Sequence, residues 1–318
     1  MTKIWNLLAC AVACIPLHAL AWPEKTVTIV VPGAPGTAVD TLARKVGERL
    51  QEKYGQPVVV ENKVGAGGLI AYEAVARQKA DGHSLAMVAG GFAIAPVLYK
   101  NLPVDPLRDL TPIAQLALIP MVFATRPEAP FRTLRDVETA AKSGQKLSYS
   151  TGGNGSTAHL VAESFKQMAG IDMTHVPFRS SALAVPDVVS GRVDIGMLDS
   201  VTAIPLITGG RLKALAIASP SRVPALPNVP TAAEAGLAFT AVGWVGLFGP
   251  SKLPPEVTEK INAAANEAMA SSSLRDVLAQ SGSIAVSPAL NAAQWKSRFE
   301  DYVQTWGKVA RDAGMKAE

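Results

Sequence analysis

The residues best equipped for chemistry lie in one short run, residues 148–159, SYSTGGNGSTAH. Gly153, Gly155 and Ala158 fit the G-x-G-x-x-A spacing of a dinucleotide loop, and Asp172 stands about 20 residues on, where that fingerprint places its ribose-binding acid. The fit fails on position, because the acid belongs at the carboxyl end of the next strand. Asp172 instead precedes the β-type run 174–178. What survives is the physics common to such loops. Gly152, Gly153 and Gly155 carry no side chain to block approach, and Ser156 or Thr157 can cap the helix that follows. The unpaired N–H groups and the positive end of the helix dipole then favour an anion, and a carboxylate suits them as well as a phosphate. A helix cap without any ligand is the plainer alternative. Ser156 and His159 lie three residues apart on one helical turn. A Ser–His nucleophile is therefore conceivable, but no orienting acid accompanies it.

Other chemistries lack their residues. The four histidines are His18, His83, His159 and His175, and no C-x-x-C, H-E-x-x-H or H-x-x-x-H pattern accompanies them, so no metal site is expected. There is no G-x-S-x-G elbow and no G-x-x-x-x-G-K-[ST] loop, and no cofactor is expected. The net charge of +4 is modest and no run of five basic residues occurs, which argues against nucleic acid as a partner. A second anion loop is legible at 31–40, VPGAPGTAVD, again strand, small-residue loop and helix start. Asp199 ends the strand-like run 193–199, and carboxyl ends of parallel strands are where open α/β sheets hold ligands.

These loops need a scaffold, and the rest of the chain supplies one. Its 318 residues suffice for two domains, and 48% hydrophobic with 18% charged residues is ordinary for a water-soluble fold. Strand-like runs at 26–31, 57–60 and 84–89 alternate with helical patterns, including a Leu42, Val46, Leu50 stripe. The theme returns with strands at 146–151, 174–178, 193–199 and 212–218 and helices at 133–143, 157–169 and 182–190. Two long apolar stretches, 113–123 and 242–250, fall where one α/β block gives way to the next. They read as paired crossover strands between two lobes, with a cleft between the lobes. The run 220–230 has four prolines and reads as an extended connector. The C-terminal region is helical, and Trp295, Phe299, Tyr302 and Trp306 follow helical spacing as a core face.

The N-terminus reads as an export signal. Lys3 precedes an apolar run, and His18-Ala19-Leu20-Ala21 offers an A-x-A cleavage site after Ala21. The run is interrupted by Pro16 and is short for a membrane span. Both cysteines, Cys10 and Cys14, fall inside it, so the mature chain has none. Leu7-Leu8-Ala9-Cys10 looks like a lipoprotein box but lies too early in the apolar run, so lipid attachment is not expected.

Many ordered segments resemble one family: VP-x-x-PG-x-x-x-D at 31–40, ENKVGAGG at 61–68, ADGHSL at 80–85, STGGNGSTAHLVAESF at 150–165, HVPFR at 175–179, SGRVDIGMLD at 190–199, LPNVPTAAEAG at 226–236 and GWVGLFGPSKLPPEV at 243–257. The chain resembles the tripartite tricarboxylate transporter substrate-binding proteins, or Bug receptors. The resemblance implies a two-lobed α/β periplasmic binding protein of type II, each lobe a mainly parallel sheet flanked by helices, joined by two crossover strands. It implies residues 1–21 as signal peptide, 22–122 with 247–318 as lobe I, and 123–246 as lobe II. It further implies a monomer that is not an enzyme, holding a small organic carboxylate and serving integral membrane permease subunits. Dicarboxylic and aromatic acids are the candidate ligands. Carried over, Ala34, Thr37, Thr151, Asn154, Ser156 and Thr157 are ligand contacts, Asp199 meets a distal polar group, and Asp40 orders its loop. The chain departs from the pattern at Gly33, Thr37 and Ala38, where the family has an aromatic residue and glycines, and at Phe178-Arg179-Ser180, where it has Tyr-Lys-Gly. Those changes bear on the ligand more than on the fold. A ligand sensor of the same fold, or a small-anion enzyme using Ser156 and His159, are the alternative functions.

Overall fold

A computed structural model describes residues 22–237 and 242–315. The expected signal peptide and its Ala21 boundary lie outside them. In chain order the elements are β1 (Val27–Val31), α1 (Ala38–Tyr54), β2 (Val58–Asn62), α2 (Leu69–Ala76), β3 (Ser84–Ala89), α3 (Ala95–Leu98), β4 (Leu110–Ile119) and β5 (Met121–Thr125). Then follow α4 (Leu134–Lys142), β6 (Ser148–Thr151), α5 (Thr157–Ala169), β7 (Thr174–Pro177), α6 (Ser181–Val189), β8 (Ile195–Asp199), α7 (Ser200–Thr208) and β9 (Lys213–Ala218). The chain ends with β10 (Gly243–Pro250), α8 (Pro255–Ala270), α9 (Ser272–Gln280), β11 (Ile284–Ala285) and α10 (Ala292–Asp312). Short 3₁₀ turns at Ala66–Gly68 and Gly90–Ile94 precede α2 and α3.

Local chemistry sets the helix ends. Thr37 caps α1 at its start, and Gly55, at φ 75°, closes it in the left-handed conformation that glycine adopts without steric penalty. Reciprocal capping boxes start α4 (Thr133 with Asp136) and α10 (Asn291 with Gln294). The predicted stripe Leu42, Val46 and Leu50 on α1 is buried against the first sheet.

The strands form two sheets, in the orders β11-β4-β10-β3-β1-β2 and β7-β6-β8-β5-β9. Each holds a parallel trio, β3-β1-β2 and β7-β6-β8. Each trio is then met by an antiparallel strand arriving from the other sheet, β10 in the first and β5 in the second. The expectation of mainly parallel sheets is thus corrected to mixed ones, because β10 and β5 run antiparallel to the trios they meet. The stretch 113–123 does cross between sheets: β4 lies in the first and, past Pro120, β5 lies in the second. The stretch 242–250 does not cross. From Gly243 it is already paired with β4 in the first sheet. Helix α7 had no sequence expectation, since SVTAIPLIT carries Pro205 and no polar face.

Trp295, Phe299 and Tyr302 dock α10 onto β10 through Trp244 and Phe248, with Trp244–Trp295 centroids 5.1 Å apart. The next turn of the same helix reaches the second lobe. Trp306 and Ala310 pack in a cluster with Leu160 of α5 and with Ile94. No helix among the described residues is long and apolar enough to cross a membrane.

Candidate functional site

The carboxyl ends of both parallel trios carry loops that open helices, so several helix N-termini gather at those ends. Thr37 caps α1, Ser156 caps α5, Ser180 caps α6 and Asp199 caps α7. Each cap occupies one main-chain N–H and leaves its neighbours for water or an anion.

The second-lobe loop is the more tightly built. Thr151 is fully buried, and its hydroxyl accepts from Gly153 N–H at 3.1 Å and lies 2.8 Å from His175 Nε2. Ser156 Oγ accepts from the main-chain N–H of His159 at 3.2 Å, and the ring Nδ1 of His159 accepts from Gly155 N–H at 3.2 Å. The N–H groups of Asn154, Thr157 and Ala158 have no hydrogen-bond partner among the described residues. Gly153 and Gly155 sit at φ 126° and 71°, and the turn needs glycine there. The Ser156 hydroxyl and the His159 ring do not hydrogen-bond to each other. The ring's Nδ1 is taken by Gly155, and the Ser156 hydroxyl receives main-chain rather than ring nitrogen.

In the first lobe, Ala34 and Thr37 are exposed. Thr37 Oγ1 donates to Ala34 O at 2.8 Å and accepts from Asp40 N–H at 3.4 Å. Asp40 is 2% exposed and holds this loop from within. It accepts from Gly36 N–H at 2.9 Å, from Asn62 at 3.0 Å and twice from Arg44 at 3.0 Å, while Asn62 also donates to Gly33 O at 2.8 Å. Burial alone would raise the Asp40 pKa. The hydrogen bonds from Arg44, Gly36 and Asn62 outweigh it and keep the carboxyl below its usual range. Asp40→Ala strands those donors and should cost about 2–3 kcal/mol of folding stability, read as a shift in urea midpoint, with Asp40→Asn losing roughly half as much. An unchanged midpoint would show that the loop is held by something else.

The Asp199 carboxylate is partly committed, since Oδ1 accepts from Thr202 N–H at 2.9 Å. The second-lobe loop touches the first lobe at Gly90, Gly91 and Leu98, to which the sequence reading gave no role. A Cβ on Gly91 would lie 2.8 Å from Gly155 O, one on Gly90 would lie 3.1 Å from Thr157 Oγ1, and one on Gly155 would meet Leu98 at 2.1 Å. A small recess there is lined by Gly90, Thr157, Leu160, Val242, Trp244 and Trp306. The twin glycine directly after β3 was the available signal. Phe178 O would stand 3.1 Å from a Cβ on Gly153, which brings the β7–α6 turn beside the second-lobe loop. The exposed Arg179 in that turn has no ion-pair partner among the described residues. No cluster of three metal-ligating side chains exists among the described residues.

Comparison with known proteins follows the same lines. Residues 42–315 match the tripartite tricarboxylate transporter family receptor. The structure of periplasmic binding protein BugD is 30% identical, covering 93% of this chain and all of that one, with a TM-score of 0.80. Rpa4515 of R. palustris with adipate is also 30% identical, over 93% of this chain and 100% of that one, with a TM-score of 0.82. MatC of Rhodopseudomonas palustris with bound malate is 33% identical, over 91% of this chain and 99% of that one, with a TM-score of 0.79.

Proposed function

Because the chain belongs to the tripartite tricarboxylate transporter receptor family, we propose that it captures a small organic carboxylate between its lobes and delivers it to the membrane permease subunits. The observation that carries this reading is the second-lobe loop. It presents unpaired N–H groups at the start of α5, with the helix dipole behind them, and lies against the first lobe at Gly90 and Gly91. Adipate and malate in two relatives of this fold favour a dicarboxylate. In this reading Asn154, Ser156 and Thr157 meet the ligand from the second lobe and Ala34 and Thr37 from the first. Thr151 and Asp40 hold the two loops, and Asp199 offers its remaining oxygen to a distal hydroxyl. The receptor works as a periplasmic monomer after loss of residues 1–21. Lobe closure around the anion stabilises the form that docks on the permease. Calorimetry against a carboxylate panel that includes malate and adipate tests the reading, and absence of heat across the whole panel would sink it.

Arg179 supplies the positive charge for the far end of a dicarboxylate. Arg179→Ala should weaken a dicarboxylate about tenfold, a loss of about 1.4 kcal/mol, and leave the matching monocarboxylate within about twofold. Equal losses for both ligands would remove Arg179 from the far-end contact.

A further inference from the structure

Behind the second-lobe loop lies a cluster of titratable side chains. The rings of His159 and His175 stack at a centroid distance of 3.9 Å and 23° between planes, and His175 stacks on Tyr149 at 4.8 Å and 17°. Helix α5 brings Glu163 and Lys166 to this group. Glu163 Oε1 lies 4.0 Å from His159 Nε2 and 2.9 Å from Lys166 Nζ, and it accepts from the Tyr149 hydroxyl of β6. Asp172, from the turn before β7, pairs with Lys166 at 3.3 Å. Both rings reach the loop. His159 Nδ1 accepts from Gly155 N–H, and His175 Nε2 meets the Thr151 hydroxyl that accepts from Gly153 N–H.

We propose that the stacked His159–His175 pair is the positioning element of the anion loop: it engages the N–H of Gly155 directly and that of Gly153 through Thr151, leaving those of Asn154, Thr157 and Ala158 for the ligand. An imidazole accepts a hydrogen bond at Nδ1 only while that nitrogen is unprotonated, so the loop's shape depends on His159 staying neutral. The surroundings keep it so. Burial, aided by the Lys166 charge, pushes His159 down to about 4. Burial and then the neighbouring His159 push His175 down to about 4 as well. Two cations at this stacking distance would repel, so acid converts the pair from a brace into a wedge. The Gly155 bond breaks first, because it alone uses a ring acceptor directly on the loop backbone. The idea rests on the carboxylate reading only for its binding consequence. The brace itself is a property of the free protein.

Ring-nitrogen NMR on the ligand-free chain tests the brace. His159 should appear as the neutral tautomer with Nδ1 bare at pH 7 and remain so to about pH 5, and the Gly153 and Gly155 amides should move together with the rings below that. A His159 ring that titrates at its ordinary pH, or a Gly155 amide indifferent to it, would overturn the proposal. H159N keeps an acceptor near the Nδ1 position and cannot titrate. It should retain the Gly155 amide shift and flatten its response to acid, whereas H159F should lose the shift. In calorimetry with adipate and malate at pH 7, H159F should bind about tenfold more weakly and H159N should recover most of the loss. Equal affinity of H159F and wild type would count as decisively against the idea. If wild type binds neither probe, the carboxylate reading fails and the ring spectra still decide the brace. Should H159F not fold, H159N and the wild-type spectra carry the test.

Discussion

Gly91→Ala is expected to lower carboxylate affinity by at least tenfold while changing the stability of the free protein little. The added Cβ would stand 2.8 Å from the carbonyl oxygen of Gly155, which belongs to the other lobe. That atom is backbone and cannot swing away as a side-chain tip could. Its own position is fixed by the turn that places Gly155 N–H on His159. Gly91 is not at a positive φ, so alanine strains nothing within its own lobe. The steric penalty therefore falls on the approach of the lobes, and only the closed form feels it. A ligand that needs closure must then work against the clash, and about 1.4 kcal/mol is enough for a tenfold loss. Calorimetry gives the affinity, and small-angle scattering gives the shift of the unliganded protein toward a more open form. Unchanged affinity together with an unchanged scattering profile would show that the contact tolerates a methyl group. Gly155→Ala makes a useful companion. It combines a left-handed φ of 71° with a contact to Leu98 Cδ1, so Leu98→Ala should rescue the contact part of its cost but not the backbone part.

Trp295→Ala should cost about 3–5 kcal/mol of stability, the largest loss expected from any one side chain here. Trp295 is completely buried. It meets Trp244 edge-on at 5.1 Å, Phe248 edge-on at 5.9 Å and Phe299 at 5.8 Å. Its Cζ2 would be 3.0 Å from a Cβ on Gly246, so the indole fits only because β10 has glycine at that point. Its Nε1 has no hydrogen-bond partner among the described residues, so the loss is one of packing alone. Trp295→Phe should accordingly retain more than half of the stability lost by alanine. Helix α10 also carries Trp306, which lines the interlobe recess, so loosening its docking should weaken ligand binding as well. Urea unfolding with a ligand titration on the same samples measures both, and a midpoint within the error of wild type for alanine would refute the packing account.

The two capped loops were legible in the sequence because glycine spacing, a capping hydroxyl and a following apolar stripe are all local signals. Helix α5 begins and ends as read, 157–169, since Ser156 caps it and Gly170 closes it. The reading missed what depends on partners distant in sequence. Nothing local says that β10 pairs antiparallel with both β3 and β4, because a fully buried strand looks the same in either direction. Gly90 and Gly91 read as a turn after β3, and their meeting with Gly155 became visible only in three dimensions. His159 was weighed as a base for Ser156 because spacing puts the two on one helical turn. Its acceptor bond to Gly155 could not be inferred from spacing alone.

The order of strands has a consequence for how the chain acquires its shape. The second sheet is continuous in sequence from Met121 to Ala218, whereas the first must wait for β10 to fill the place between β3 and β4. A chain that emerges N-terminus first therefore completes its second sheet before its first. Until residue 250 is out, β3 faces an unfilled slot and its outer edge has no strand to pair with. Exposed strand edges of that kind attract wrong partners. The interval is long, since more than a hundred residues separate β3 from β10, and it ends only when the last third of the molecule arrives. A binding protein built by this exchange of strands trades early independence of its lobes for a joint that neither lobe can lose without opening its own sheet.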